Sequence, residues 1–264
     1  MIAATVLMCH APIVIPEIGQ ENAEACRKTT QAMQEAADFI VKENPDCLIV
    51  LSPHTPRYPE GFGFIQTEKL TGDFSRFGYP EISSQFTQDA KVLQAIASQA
   101  HKMNLTFRAQ RPQDLDHGAM VPLTFLQRAG WAGNTVVISL PYEGDHKTLK
   151  DFGRSLRQAS EDLNQKWVIL ASGDMSHRLI QGAPAGFHPG GVKFDQAVVG
   201  HLQSGNYQDL VLLPDSLRDQ AAEDVVDTVE IAVASLDFQN KGHRFISYEG
   251  PFGVGYSVAI LQKP

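Results

Sequence analysis

Cysteine is scarce in this sequence. Its 264 residues include three cysteines, Cys9, Cys26 and Cys47, and no C-x-x-C pair. So small and odd a number argues against a disulfide framework and predicts a protein of the reducing cytoplasm.

Long apolar runs and positive charge are also lacking. No run approaches the roughly 20 apolar residues of a membrane-spanning helix, and the first residues carry no basic segment of a signal peptide. The 22 lysines and arginines are outnumbered by 30 acidic residues, for a formal net charge of -8. Because nucleic-acid binding needs a basic surface, we expect neither a nucleic acid nor a membrane as partner.

Several catalytic motifs are missing. The segments GFGF and GVGY lack the strand–glycine–helix context of a dinucleotide fingerprint, and no P-loop sequence occurs. Ser176 precedes His177, but no G-x-S-x-G elbow is present. These absences argue against a nucleotide-binding enzyme and against a serine hydrolase.

What the chain does contain is an alternation of strand-like and helix-like segments. We predict strands at 3–9, 47–51, 105–108, 135–140 and 167–171, and helices at 21–42, 83–102 (N-cap Ser83 or Ser84), 120–129, 147–164, 193–203, a short one ending at 210–213, and 218–236. Residues 58–80 are expected to form a long loop that walls a pocket. FISYEG and VGYSVAIL are expected to form a closing antiparallel pair.

No linker, charge run or internal repeat divides the chain. We therefore predict that residues 1–264 form a single α/β domain. Its expected architecture is a three-layer α/β sandwich of phosphorylase/hydrolase-like type, with a mostly parallel central sheet and a C-terminal antiparallel strand pair.

Three histidines follow predicted buried strands. His54 stands between two prolines in DCLIVLSPHTP, His10 ends the apolar run ATVLMCH, and His177 ends WVILASGDMSH. Ligands of open α/β sheets bind outside the carboxyl ends of the strands. Since a mononuclear metal site often uses two histidines and a carboxylate, His10 and His54 are predicted to be metal ligands.

Other candidates for this site remain open. Asp116, beside His117, is expected either to orient that imidazole or to cap a helix. His188, in GFHPGG, is a pocket residue or a plain turn residue. The third ligand should be a carboxylate of the C-terminal third, and spacing does not choose between Glu223 and Glu249.

The motifs CHAP, LSPHTP, LDHGAMVPL, SGDMSH and GFHP…FD occur in this order along the chain. Together they resemble the catalytic-subunit family of class III extradiol ring-cleavage dioxygenases, with the related Memo-like proteins. GDFSRFG and SYEGPFGVGY resemble one branch in particular, the dioxygenase-like domain of the AmmeMemoRadiSam system.

The resemblance implies a non-haem Fe(II) site with His10, His54 and Glu223 as ligands. Relatives of this branch read Ala-Gly-Glu-Cys-Gly around the glutamate, whereas this chain reads AAEDV at 221–225, so Asp224 is the fallback ligand. The resemblance further implies that His177 is the acid/base histidine and that His117 meets substrate or dioxygen.

The implied reaction is extradiol cleavage of a catechol-type aromatic diol with O2. One alternative is a metal-binding accessory protein of the AmmeMemoRadiSam type, with another protein as partner and no dioxygenase activity. Another is zinc-dependent hydrolysis, because Zn(II) suits the same ligands. Homo-oligomers are a further expectation, through an exposed GVGYSVAIL edge strand.

Overall fold

The structure, a computed structural model, describes residues 1–264. The strands are β1 (Ile2–Met8), β2 (Cys47–Ser52), β3 (Phe62–Ile65), β4 (Lys69–Phe74), β5 (Tyr79–Thr87), β6 (Phe107–Gln110), β7 (Asn134–Ser139), β8 (Trp167–Ser172), β9 (Arg244–Glu249) and β10 (Tyr256–Gln262). The helices are α1 (Pro16–Gly19), α2 (Arg27–Glu43), α3 (Ala90–Lys102), α4 (His117–Arg128), α5 (His146–Asp162), α6 (Pro189–Ser204), α7 (Tyr207–Val211), α8 (Asp215–Ala221) and α9 (Val226–Ala234). Short 3-10 turns lie at Pro12–Val14, Gln20–Cys26 and Ser75–Phe77.

Eight strands form one sheet in the order β6-β3-β7-β2-β8-β1-β10-β9. The four central strands, β7, β2, β8 and β1, are mutually parallel. At one side β10 pairs antiparallel with β1, and β9 pairs antiparallel with β10. At the other side β3 is antiparallel to β7 and parallel to β6. The predicted α/β domain with a mostly parallel sheet and a C-terminal antiparallel pair is confirmed.

Helices cover both faces of this sheet. In β2, Leu48 and Val50 pack into the apolar core shared with α2 and α4, while Ile49 and Leu51 pack into the core shared with α3, α5 and α9. Side chains alternate between the faces of a strand, so a strand buried on both faces is apolar throughout. This explains why the run at 48–51 predicts a central strand.

Residues 69–87 differ from the prediction. They form a separate two-stranded hairpin of β4 and β5, not the end of a loop followed by a helix. Along β4 exposed and buried residues alternate, and Leu70 and Phe74 face inward. The predicted helix at 83–102 begins instead at Ala90, where the Asp89 carboxylate caps it by accepting the amide of Lys91 (2.8 Å). Ser83 and Ser84 therefore lie in β5 and cap nothing.

The single helix predicted at 218–236 is also wrong. Helix α8 ends at Ala221, Ala222 adopts a left-handed backbone (φ 52°), and α9 starts at Val226. Neither glycine nor proline marks this break in the sequence. The break decides which side chain of the AAED segment reaches the carboxyl ends of the central strands.

The segment VGYSVAIL is not an edge. It includes β10, which lies between β1 and β9, so the edge strand on this side is β9. None of the helices is long and apolar enough to cross a membrane.

Glu230 of α9 is a fully buried carboxylate that provides a test of this packing. Its Oε2 lies 2.9 Å from Nδ1 of His146, but its Oε1 has no hydrogen-bond partner, with Lys150 Nζ 3.9 Å away. Burial raises the pKa of Glu230. A carboxyl group whose pKa is higher in the folded than in the unfolded protein adds stability below its unfolded-state pKa. That contribution is lost as the pH rises through its folded-state pKa.

We therefore expect Glu230→Gln to match the wild type near pH 4 and to exceed it by roughly 0.5–2 kcal/mol in unfolding free energy at pH 8. Denaturant unfolding at both pH values measures this. The exposed Glu161→Gln on α5 is the control and should change little at either pH. If the stability of Glu230→Gln relative to wild type fell between pH 4 and pH 8, the raised pKa of Glu230 would be contradicted.

Candidate metal centre

Three neighbouring parallel strands end at one edge of the sheet, and each is followed by an ionisable side chain. His10 follows β1, Asp174 follows β8 and His54 follows β2, with β8 between the other two. The backbone amide of His10 donates to Oδ1 of Asp174 (2.9 Å). The carboxyl ends of these strands thus bring His10 and His54 together, as their positions in the sequence predict.

Three donor atoms form a compact triangle at this edge. The Nε2 atoms of His10 and His54 are 3.1 Å apart, and Oδ2 of Asp224 lies 3.4 Å from the first and 3.2 Å from the second. Three mutually perpendicular ligands, each about 2.1 Å from one metal ion, lie about 3 Å from one another. The triangle therefore fits one face of a metal coordination sphere.

The ring of His10 is held so that its Nε2 faces the triangle. Its Nδ1 lies 3.0 Å from Oγ of Ser172, and this hydroxyl donates to the carbonyl of Gly118 (2.5 Å). With its proton used in that bond, Ser172 Oγ accepts from Nδ1–H. The neutral ring then carries its lone pair on Nε2, as a metal ligand must.

The charges at the triangle support one another. Burial alone would lower the pKa of His10, but the carboxylates of Asp174 and Asp224 outweigh it and raise that pKa to about 9. For Asp224, burial acts to raise the pKa, yet the neighbouring His10 and His54 hold it well below its usual range. Without a metal ion, His10 is therefore protonated and paired with the Asp224 carboxylate, and a bound metal ion would displace that proton and leave the neutral ring described above.

His117 supplies a third imidazole. Its ring centroid lies 4.1 Å from that of His54 and 5.5 Å from that of His10. Burial and the charges of these two histidines lower its pKa to about 4. His117 therefore stays neutral beside the triangle, able to accept or share a hydrogen bond with a bound molecule.

The carboxylate that reaches the histidines is that of Asp224 and not that of Glu223. Glu223 points away, its Oε1 accepting from Nε of Arg218 (2.6 Å) and its Oε2 accepting the amides of Val225 and Val226 (2.7 and 2.9 Å). Because helix α8 ends here and Ala222 adopts a left-handed backbone, the side chains of Glu223 and Asp224 point in different directions. The structure thus corrects the expected position of Glu223 and places the fallback residue at the site.

His177 is anchored to the same turn. Its amide donates to the carbonyl of Ala221 (2.9 Å), and its Nδ1 donates to the carbonyl of Ala222 (2.7 Å). This bond fixes the neutral tautomer with an unprotonated Nε2. Such a ring can take up a proton at Nε2.

The remaining sequence candidates lie in different places. Asp116 caps α4 by accepting the amide of Ala119 (3.1 Å) and also accepts the hydroxyl of Ser52 (2.7 Å). His188 caps α6 through Nδ1, which accepts the amide of Gly190 (3.0 Å). Glu249 binds the amide and hydroxyl of Thr29 (2.8 and 2.7 Å). Neither His188 nor Glu249 lines the cleft beside the metal centre, and His177 is not among the residues that line it either.

That cleft has a volume of about 680 Å³ and extends from His54 and His117 to the tip of the β4–β5 hairpin. Phe77, at the tip, is 43% exposed, and its ring lies edge-on to His117 with a centroid distance of 5.8 Å. The predicted pocket wall at residues 58–80 includes the GDFSRFG segment but does not single out Phe77. An aromatic residue inside a polar turn is the signal that could have identified it.

Gly118 is the point of closest approach between α4 and this centre. A Cβ atom there would lie 2.6 Å from Oγ of Ser52 and 3.2 Å from Cδ2 of His54. Alanine is otherwise the better helix residue by about 1 kcal/mol. Any loss of stability in a Gly118→Ala protein is therefore due to the steric conflict of the added Cβ atom.

We expect Gly118→Ala to lower the unfolding free energy by about 1–3 kcal/mol and to weaken zinc binding by about 10- to 100-fold. Thermal denaturation and competition with a chelator measure the two effects. Gly200→Ala in α6 is the matched control, because nothing lies within 4 Å of its added Cβ. If the two variants had the same stability and zinc affinity, a glycine at position 118 would not be needed for the close approach of α4 to the metal centre.

Together the sheet and its edge define an α/β protein with a histidine- and carboxylate-lined candidate metal centre at the carboxyl ends of parallel strands. Residues 4–259 match the family model described as the catalytic LigB subunit of aromatic ring-opening dioxygenase. The chain belongs to this family.

The chain is also similar to two further proteins. Protein CA_C1420 of Clostridium acetobutylicum is 28% identical over 265 residues, which cover 97% of this chain and 56% of that protein. The chain thus spans about half the length of this curated relative. The crystal structure of the uncharacterized protein JW3007 from Escherichia coli K12 has a TM-score of 0.66 at 16% identity, covers 98% of this chain and 99% of its own, and shows that the fold is shared.

Proposed function

We propose that this protein is an extradiol ring-cleavage dioxygenase that uses Fe(II) and O2 to open a catechol-type aromatic diol. The triangle of His10, His54 and Asp224 carries the proposal. Two histidines and one carboxylate on one face are the ligand set of non-haem Fe(II) oxygenases, and the opposite positions stay open. Membership in a ring-opening dioxygenase family supports the same reaction class.

In this proposal His10, His54 and Asp224 would hold the metal. When bound, Fe(II) would bring a diol and O2 into adjacent open positions and lower the pKa of the diol. The residues around the triangle would then bind the ring, exclude water and move protons.

His177 would accept a hydroxyl proton of the diol. Its Nδ1–H bond to the Ala222 carbonyl leaves Nε2 free for that proton, and proton transfer by a positioned histidine is a common source of rate enhancement. His177 would later return the proton to the opened product.

His117 and Phe77 would bind the substrate ring. His117 stays neutral because its pKa is about 4, so it can share a hydrogen bond without adding positive charge. Phe77 presents an aromatic face or edge to the cleft, and aromatic rings pack favourably against one another at such distances. A single-ring aromatic diol fits a cleft of this size.

Anaerobic loading with Fe(II), followed by a panel of catechols and air-saturated buffer, tests the function. We expect O2 uptake together with the visible chromophore of an extradiol product. Stoichiometric iron with neither signal across the panel would refute the dioxygenase reaction. The same panel with zinc-loaded protein should show no O2 uptake, and ester or amide hydrolysis by that form would favour the zinc hydrolase alternative.

A further inference from the structure

The segment Asp174–His177 has no regular secondary structure, yet it joins the metal centre to the proton-transferring histidine. Asp174, Met175 and Ser176 are buried. Strand β10 is preceded by Gly255, whose carbonyl accepts the amide of Met175 (2.9 Å) and whose amide donates to the carbonyl of Ser176 (2.9 Å). The amide of Ser176 is left for another partner.

That partner is Asp195, the aspartate that ends the GFHPGGVKFD motif. Its Oδ1 accepts the amide of Ser176 (2.8 Å), and its Oδ2 accepts the phenol proton of Tyr248 in β9 (2.7 Å). Asp195 is only 1% exposed, and no lysine, arginine or histidine pairs with it. A buried carboxylate without a cation is costly, and burial raises the pKa of Asp195 to about 7, so its bonds to Ser176 and Tyr248 are the contacts that hold it in place.

Gly255 leaves the space that this carboxylate occupies. A Cβ atom at Gly255 would lie 2.1 Å from Oδ2 of Asp195. The glycine just before β10, the aspartate of α6 and the tyrosine of β9 therefore form one arrangement around Ser176.

The arrangement bears directly on His177, the next residue. The ring of His177 is oriented by the bond from its Nδ1 to the carbonyl of Ala222 (2.7 Å), and its amide by the bond to Ala221 (2.9 Å). Both bonds require the backbone at Ser176 to stay in register with the turn after α8. We therefore expect a shift of the Ser176 backbone to lengthen these two bonds and to let the imidazole of His177 turn.

We propose that Asp195 and Tyr248 are a positioning pair that holds the backbone of Ser176 and thereby sets the orientation and tautomer of His177. Neither residue touches the cleft. This inference rests on the proposed function only in that His177 is taken as the acid/base group.

The test follows the imidazole of His177 by NMR in zinc-loaded protein labelled with 15N-histidine, assigned with His177→Gln. In the wild type we expect one set of signals, with the proton on Nδ1. In Asp195→Asn and Tyr248→Phe we expect mixed tautomers or a second set, with unchanged zinc content. Tyr207→Phe, which also loses a buried phenol bond, to the carbonyl of Leu261, should keep the wild-type signals.

In the iron-loaded protein we expect kcat to fall by about 10- to 100-fold in the two variants, with KM little changed. Wild-type His177 signals in both variants, with only a lower melting temperature, would overturn the positioning role. Should Asp195→Asn not fold, Tyr248→Phe and Gly255→Ala decide the same question. If no diol is turned over by the wild type, the proposed function fails, but the NMR comparison still decides the positioning role.

Discussion

Asp224→Asn is expected to abolish stoichiometric metal binding, whereas Glu223→Gln leaves it intact. The Asp224 carboxylate is the only acidic group within 3.4 Å of Nε2 of both His10 and His54. An amide is a far weaker ligand than a carboxylate, and it carries no negative charge to offset that of the metal. We expect the apparent affinity to fall by at least about 100-fold, beyond the loss usual for an outer partner.

Glu223→Gln is a matched control, since it removes one negative charge at the adjacent position. It weakens the bond to Arg218, which keeps its second partner, Asp227 (2.6 Å). Elemental analysis of both variants, purified without chelator, measures the outcome. Loss of metal from Glu223→Gln with full metal in Asp224→Asn would restore the ligand set that family resemblance implies.

The contrast between these two residues shows how far the sequence could predict the site. His10 and His54 could be found because each follows an apolar run that forms a buried parallel strand, and such strands end at one edge. The choice of carboxylate could not be found that way. It depends on the left-handed residue Ala222 and on Arg218, which binds the glutamate from the preceding helix.

The same reasoning applies to the fold. The central strands β2, β7 and β8 could be predicted nearly to the residue because burial on both faces leaves a continuous apolar signal. The β4–β5 hairpin gives no such signal, since it is buried on one face only and polar residues dominate β5. Its position over α4, which brings Phe77 to the cleft, follows from tertiary packing.

His177→Gln is expected to lower kcat for diol cleavage by about 10²- to 10⁴-fold, the usual contribution of a general acid/base group. Metal content should be unchanged, because Nδ1 of His177 is used by the Ala222 carbonyl and its ring is not part of the triangle. Glutamine can keep a hydrogen bond to that carbonyl but cannot take up the proton of the diol.

His188→Gln is the matched control on the same loop-rich side of the protein. His188 caps α6 through Nδ1 and has no part in the proposed reaction, so its loss should cost about 1 kcal/mol of stability and leave kcat unchanged. Steady-state O2 uptake and iron content, measured on both variants, separate the two roles. A His177→Gln protein with wild-type kcat would remove the acid/base assignment, and one that loses iron would make His177 part of the metal centre instead.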